Sequence, residues 1–136
     1  MSNLTLWSPR ALAVLRIVTA LLFLEHATMK FLAFPAAMPG MEHGLPPLLI
    51  AAGVVELSAG ILITLGLFTR LFALLASGEM AVAYFMAHLP NGFWPALNQG
   101  ELAIMFCFVF LYLVFAGPGV WAADNMLGAR RAASRL

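Results

Sequence analysis

Of the 136 residues, 63% are hydrophobic and 10% charged, and seven Lys and Arg against six Asp and Glu leave a net charge of +1. An ordinary soluble domain is roughly 45–50% apolar and about 25% charged, and so short a chain exposes too much of its surface to hide that excess in a core. These figures exclude a soluble enzyme, a disordered tail and an electrostatic nucleic-acid partner, and make the lipid bilayer the partner of most of the surface.

A bilayer-crossing helix needs about 20 mostly apolar residues, and four segments qualify, at about 12–33, 46–68, 70–89 and 99–117. The first ends where Pro35, Pro39 and Gly40 interrupt the pattern. Its stretch from Ala11 to Leu24 has the length of a signal-peptide core, but Glu25, His26 and Lys30 precede the small residues at Ala33 to Ala37, so the segment is expected to be retained. Pro46-Pro47 opens the second helix, and Gly66-Leu67-Phe68-Thr69-Arg70 is a tight turn that makes helices two and three an antiparallel hairpin. Pro90-Asn91-Gly92 ends the third, and Gly117-Pro118-Gly119 the fourth. The expected fold is all-α: an integral membrane four-helix bundle, up-down and antiparallel. Residues 1–136 form one domain, with 118–136 a short basic tail.

Basic residues near span ends set orientation. The side shared by the N-terminus, the second loop and the C-terminus holds Arg10, Arg16, Arg70, Arg130, Arg131 and Arg135, against Lys30 alone on the other. Both termini are therefore expected in the cytoplasm, in a bacterial inner membrane. Trp7, Trp94 and Trp121 fall outside the spans, as interfacial anchors do. A weak internal repeat accompanies this layout: Arg16 precedes Glu25, and Arg70 precedes Glu79, by nine positions each, with Leu-Leu between. Two parallel hairpins would produce it.

Ionisable groups inside a membrane are costly, about 2.5–3.5 kcal/mol each on insertion scales. Yet each helix carries an acid: Glu25, Glu56, Glu79 and Glu101. At about 1.5 Å rise per residue, Glu25, Glu56 and Glu79 meet near the midplane, whereas His26, Lys30, His43, His88 and Glu101 belong to the outer half or surface. His26 and Lys30 share a face of helix one, and Tyr84 and His88 a face of helix three. Each has a plain reading as well. Arg16, Arg70 and Lys30 would snorkel to the interfaces, Glu56 would bond a neighbouring helix, His88 would cap a helix end, and Glu101 would sit on a helix N-terminus. Cys107, in Ile104-Met105-Phe106-Cys107-Phe108, reads as a small core hydrophobe. Di-iron bundles need Glu-x-x-His pairs; none occurs, so no metal is expected. Nucleotide, haem and nucleophile-elbow motifs are absent.

Several pieces carry a family resemblance: Leu15-Arg16, His26 to Lys30 with Phe31 and Phe34-Pro35, and Glu56-Leu57 with Gly60. Leu65 to Arg70, His88 to Phe93, Gly100-Glu101, and Gly117-Pro118-Gly119 with Asp124 complete them. In their order and spacing the chain resembles the DoxX family of small four-helix bacterial membrane proteins, from about Leu15 to Asp124. The resemblance implies an inner-membrane protein. Its relatives look like membrane parts of redox systems, of the thiosulfate–quinone oxidoreductase type or linked to oxidative-stress defence. Arg16, His26, Lys30, Glu56, Arg70, His88, Asn91, Glu101 and Asp124 match the pattern. Ala27 stands where the family often has Gly, and Glu25 and Glu79 lie outside the pattern.

Three readings follow. In the first, a membrane redox component binds a quinone between His26, Lys30, His88 and Glu101, with Tyr84 or Trp94 lining the slot and Glu56 relaying protons, alongside another redox subunit. In the second, a scaffold subunit serves a membrane complex. In the third, a transporter, favouring a homodimer, uses Glu25, Glu56 and Glu79 as its coupled path.

Overall fold

The computed structural model describes residues 3–40 and 43–133, which form helices and their connections with no strand among them. The elements are α1 (Asn3–Leu32), α2 (Pro47–Leu65), α3 (Thr69–Ala83), α4 (Pro95–Asn98), α5 (Glu101–Ala116) and α6 (Ala123–Ala133). A π-helical turn at Tyr84–His88 and a 3-10 turn at Leu89–Asn91 extend α3. Three stretches are long and apolar enough to cross a membrane: Leu4–Leu32, Pro47–Leu65 and Thr69–Asn91. The helix α5 is equally apolar but has 16 residues.

Packing follows the small residues. Helix α1 lies closely on α2, and α3 on α5, with α2 against α3 and a narrower seam between α1 and α5. Gly60 permits the first approach: a Cβ there would stand 2.8 Å from Leu24 Cβ and 3.1 Å from its Cα. Ala20, Ala59, Ala73 and Ala76 line the centre with Phe23, Ile63, Phe110 and Leu113, all fully buried. Phe23 meets the rings of Phe106 and Phe110 edge-on at 5.5 and 4.8 Å, the orientation that aromatic quadrupoles favour. Ser77 Oγ donates to the Cys107 carbonyl at 2.9 Å, tying α3 to α5.

The hairpin turn forms as expected. Gly66 adopts φ +68, and a Cβ there would lie 2.5 Å from Ala122 Cβ, so both the left-handed backbone and the close approach require glycine. Two expectations change at this end. Arg16 does not snorkel but is fully buried. Its guanidinium donates to the carbonyls of Pro118, Val120 and Trp121. Residues 118–124 are likewise not a free tail. Asp124 accepts from the amides of Phe68 and Thr69 at 2.8 and 3.0 Å, capping α3, while its own amide donates to Gly66. Arg70 is exposed and donates to the last carbonyls of α5, at Val114 and Phe115, where a cation complements the helix dipole.

Trp7 lies inside α1, because the helix starts at Asn3 rather than near residue 12, and its exposed ring carries Arg10 5.1 Å from its centroid. Trp94 and Trp121 lie between helices, both exposed. The repeat expected from Arg16–Glu25 and Arg70–Glu79 does not extend to environment: Arg16 is buried and Arg70 exposed, while Glu25 is exposed and Glu79 has a buried carboxyl. Arg135 and the side chains of Arg130 and Arg131 lie outside the described residues.

Candidate functional site

At the end of the helices remote from Arg16, a cavity of about 450 Å³ opens between α1, α2, α3 and the start of α5. Its walls are mostly aliphatic and aromatic, among them Leu48, Leu49, Val55, Met80, Met86 and Phe106. Into this apolar space project His26 and Lys30 from α1, Glu56 from α2, Glu79 from α3, and His88 and Gln99 from the segments that follow.

Lys30 and Glu56 form its fixed polar element. Lys30 Nζ lies 2.5 Å from both carboxylate oxygens of Glu56, and the two side chains are 5% and 4% exposed. This overturns the expectation that Lys30 snorkels outward. A buried acid within reach offers more than the interface does, since pairing removes the cost of an isolated charge in a low dielectric. An ammonium has three donors, and two point at Glu56, which leaves one for a further acceptor. The pair also clips α1 to α2, close to Gly53, where a Cβ would stand 3.2 Å from Lys30 Cδ.

Glu79 is the unsatisfied group. Both its carboxylate oxygens are buried and neither has a hydrogen-bond partner. It lies within electrostatic reach of Glu56 and Lys30 and lines the same cavity. Buried polar atoms without partners are rare in native proteins, and a carboxyl is among the costlier groups to leave so.

The π-helical turn brings His88 to the wall. Pro90 supplies no amide for the Met86 carbonyl, and its ring crowds that oxygen; the chain widens, with the Leu89 amide reaching back to the Tyr84 carbonyl. Such turns recur at functional sites. His88 Nδ1 donates to the Asn98 carbonyl at 3.1 Å, a bond that requires the proton on Nδ1 and leaves Nε2 as an acceptor in the neutral ring. Tyr84 stacks on His88 at 6.4 Å and 20°. Asn98, itself buried, donates to the Gly92 carbonyl and accepts from the Gly100 amide, holding the loop that positions His88. His26 stands edge-on to Phe106 at 5.9 Å.

The candidates named from sequence therefore divide. His26, Lys30, Glu56, Glu79 and His88 line one cavity. Tyr84 packs behind His88, whereas Trp94 is exposed on the connecting loop and Glu101 is exposed in the first turn of α5. Glu25 is exposed on α1 and does not join Glu56 and Glu79; the expected midplane trio is a pair. His43 lies exposed in the loop before α2. Gln99 and Met38 were not singled out. Leu48, Leu49, Ala52 and Val55 were legible in principle, because their spacing places them on the Glu56 face of α2.

An all-helical membrane protein with an apolar, polar-headed cavity is the class these features define. The DoxX family model matches residues 11–89, and the chain belongs to that family. The matched stretch contains all five ionisable residues of the cavity wall. The chain is 48% identical over 129 residues to an uncharacterized protein of Haemophilus influenzae, covering 92% of this chain and 96% of that one. It is 28% identical over 140 residues to an uncharacterized membrane protein of Mycobacterium tuberculosis, covering 92% and 86%. No solved structure matches it.

Proposed function

We propose that this protein is a membrane component of a redox system and holds a quinone-type lipophilic carrier in the cavity. The observation that carries the reading is the enclosure of Lys30, Glu56, Glu79 and His88 in apolar walls of about 450 Å³, within the size range of small-molecule sites. A quinone ring needs flat apolar surroundings and polar partners at its oxygens. Lys30 offers its third N–H to a carbonyl oxygen. Glu79 and His88 Nε2 accept from a hydroxyl, so the lining complements both the carbonyl and the hydroxyl form of such a ring. Proton exchange would run through Glu79 and His88, the groups with capacity left over, while Glu56 holds Lys30 in place. Electrons require a partner subunit.

In this reading α5 is the fourth span of an up-down four-helix bundle; its 16 residues reach about 24 Å, and the bilayer thins locally to meet it. The end carrying Arg10, Arg16 and Arg70 faces the cytoplasm of a bacterial inner membrane with both termini, and the cavity opens in the outer half. Reporter fusions at either terminus should be active only in the cytoplasm; an active periplasmic fusion would reverse the placement.

The binding test is a titration of a short-chain quinone against the protein in lipid nanodiscs. Saturable binding with one site per chain is expected, weakened at least about tenfold by Lys30→Met, the loss of one hydrogen bond to a charged donor. Absence of saturable binding to the wild type would sink the reading.

A further inference from the structure

The inward seam of α1 runs through Ala13, Arg16, Ala20, Phe23 and Ala27, all fully buried. Residues two positions further on lie about 200° round the helix, and there Leu15, Val18, Leu22, Glu25 and Met29 repeat the same three-and-four spacing on the outer face. Leu15, Val18 and Leu22 are 40%, 50% and 48% exposed, and Glu25 is exposed with them. Away from the helix ends, Glu25 is the exposed carboxyl of the membrane-crossing stretches among the described residues. It lies seven residues, about 10 Å, inside the end of α1 at Leu32. Thr28 Oγ1 bonds the Glu25 backbone carbonyl, but no hydrogen bond reaches the Glu25 carboxyl among the described residues.

Lipid tails give a carboxyl no partner, so a protein group must meet Glu25. We propose that the stripe Leu15–Val18–Leu22–Glu25–Met29 is the interface of a homodimer in which the Glu25 carboxyls of two copies bond each other. Three properties select a second copy as the occupant. All copies insert with one orientation, so a two-fold axis lies along the membrane normal and each residue near it meets its own counterpart at equal depth. A protonated carboxyl has one O–H donor and one carbonyl acceptor, so two related by that axis satisfy each other, which two lysines or two arginines could not do. The spacing is that of a left-handed helix pair, the commonest crossing in membranes, and a single polar residue in such a seam fixes its register.

Disulfide trapping in native membranes tests the surface. In a Cys107→Ala background, Val18→Cys and Leu22→Cys should each give a cross-linked dimer, whereas Leu57→Cys and Met105→Cys, exposed on α2 and α5, should not. In nanodiscs, Glu25→Leu should weaken dimerisation about three- to thirtyfold, the range of an interhelical hydrogen bond in a membrane. Glu25→Gln should retain it, because an amide also carries a donor and an acceptor. The proposal is overturned by a wild-type monomer at every protein-to-lipid ratio, by equal cross-linking on α2 or α5, by a Glu25→Leu dimer as tight as the wild type, or by a different protein on this face.

Discussion

A lysine and a glutamate held 2.5 Å apart in an apolar interior stabilise the fold only together, because removing either leaves the other charge buried alone. Lys30→Met or Glu56→Leu should each cost about 3–5 kcal/mol, whereas the double replacement should recover most of that. Thermal unfolding in detergent reads the difference, and additive losses would show that the two side chains do not depend on each other. Quinone binding should be weakened in Lys30→Met and in the double replacement alike, since an apolar side chain at position 30 fills the volume but offers no donor. The sequence disclosed which residues were ionisable and roughly how deep they lay. It did not disclose their partners: depth comes from position along a helix, whereas pairing depends on the rotation of α1 against α2. Lys30 was expected in the interface for that reason, and Glu25 beside Glu56.

Helix spans and turns were largely legible, because runs of apolar residues and Gly or Pro punctuation are local signals. The tight turn at Gly66 formed where it was expected. What escaped notice is held by backbone atoms. The segment after Gly117 docks through the carbonyls of Pro118, Val120 and Trp121 on Arg16, and no side-chain pattern announces a carbonyl. The π-helical turn that presents His88 follows from Pro90, which reads in sequence only as the end of a helix. At this scale the closeness of α1 and α2 can be probed directly. Gly60→Val would drive a side chain into the Leu24 backbone, 3.1 Å from the Cβ position, which cannot give way unless the helices separate. A loss of about 1–3 kcal/mol is expected. Gly78→Ala meets nothing within 4 Å and should be neutral or gain up to about 1 kcal/mol of helix propensity. Equal melting temperatures for the two variants would contradict the packing described.

For the whole molecule, the two ends of the helical body differ in kind. At one end Arg16, Gly66 and Asp124 bond the chain after Gly117 to the helices; at the other, Lys30, Glu56, Glu79 and His88 surround a space. A tied end and an open, polar-headed one suit a protein that receives a lipophilic molecule from the bilayer. The measurement that tests this most directly is the quinone titration in nanodiscs carried out on wild type and on Ala83→Phe, whose ring would occupy the cavity that Ala83 lines while every one of its ionisable residues is kept. Saturable binding by the wild type and its loss in Ala83→Phe, with helical content unchanged, is the expected result. Equal binding by both proteins would place the ligand elsewhere and contradict the account.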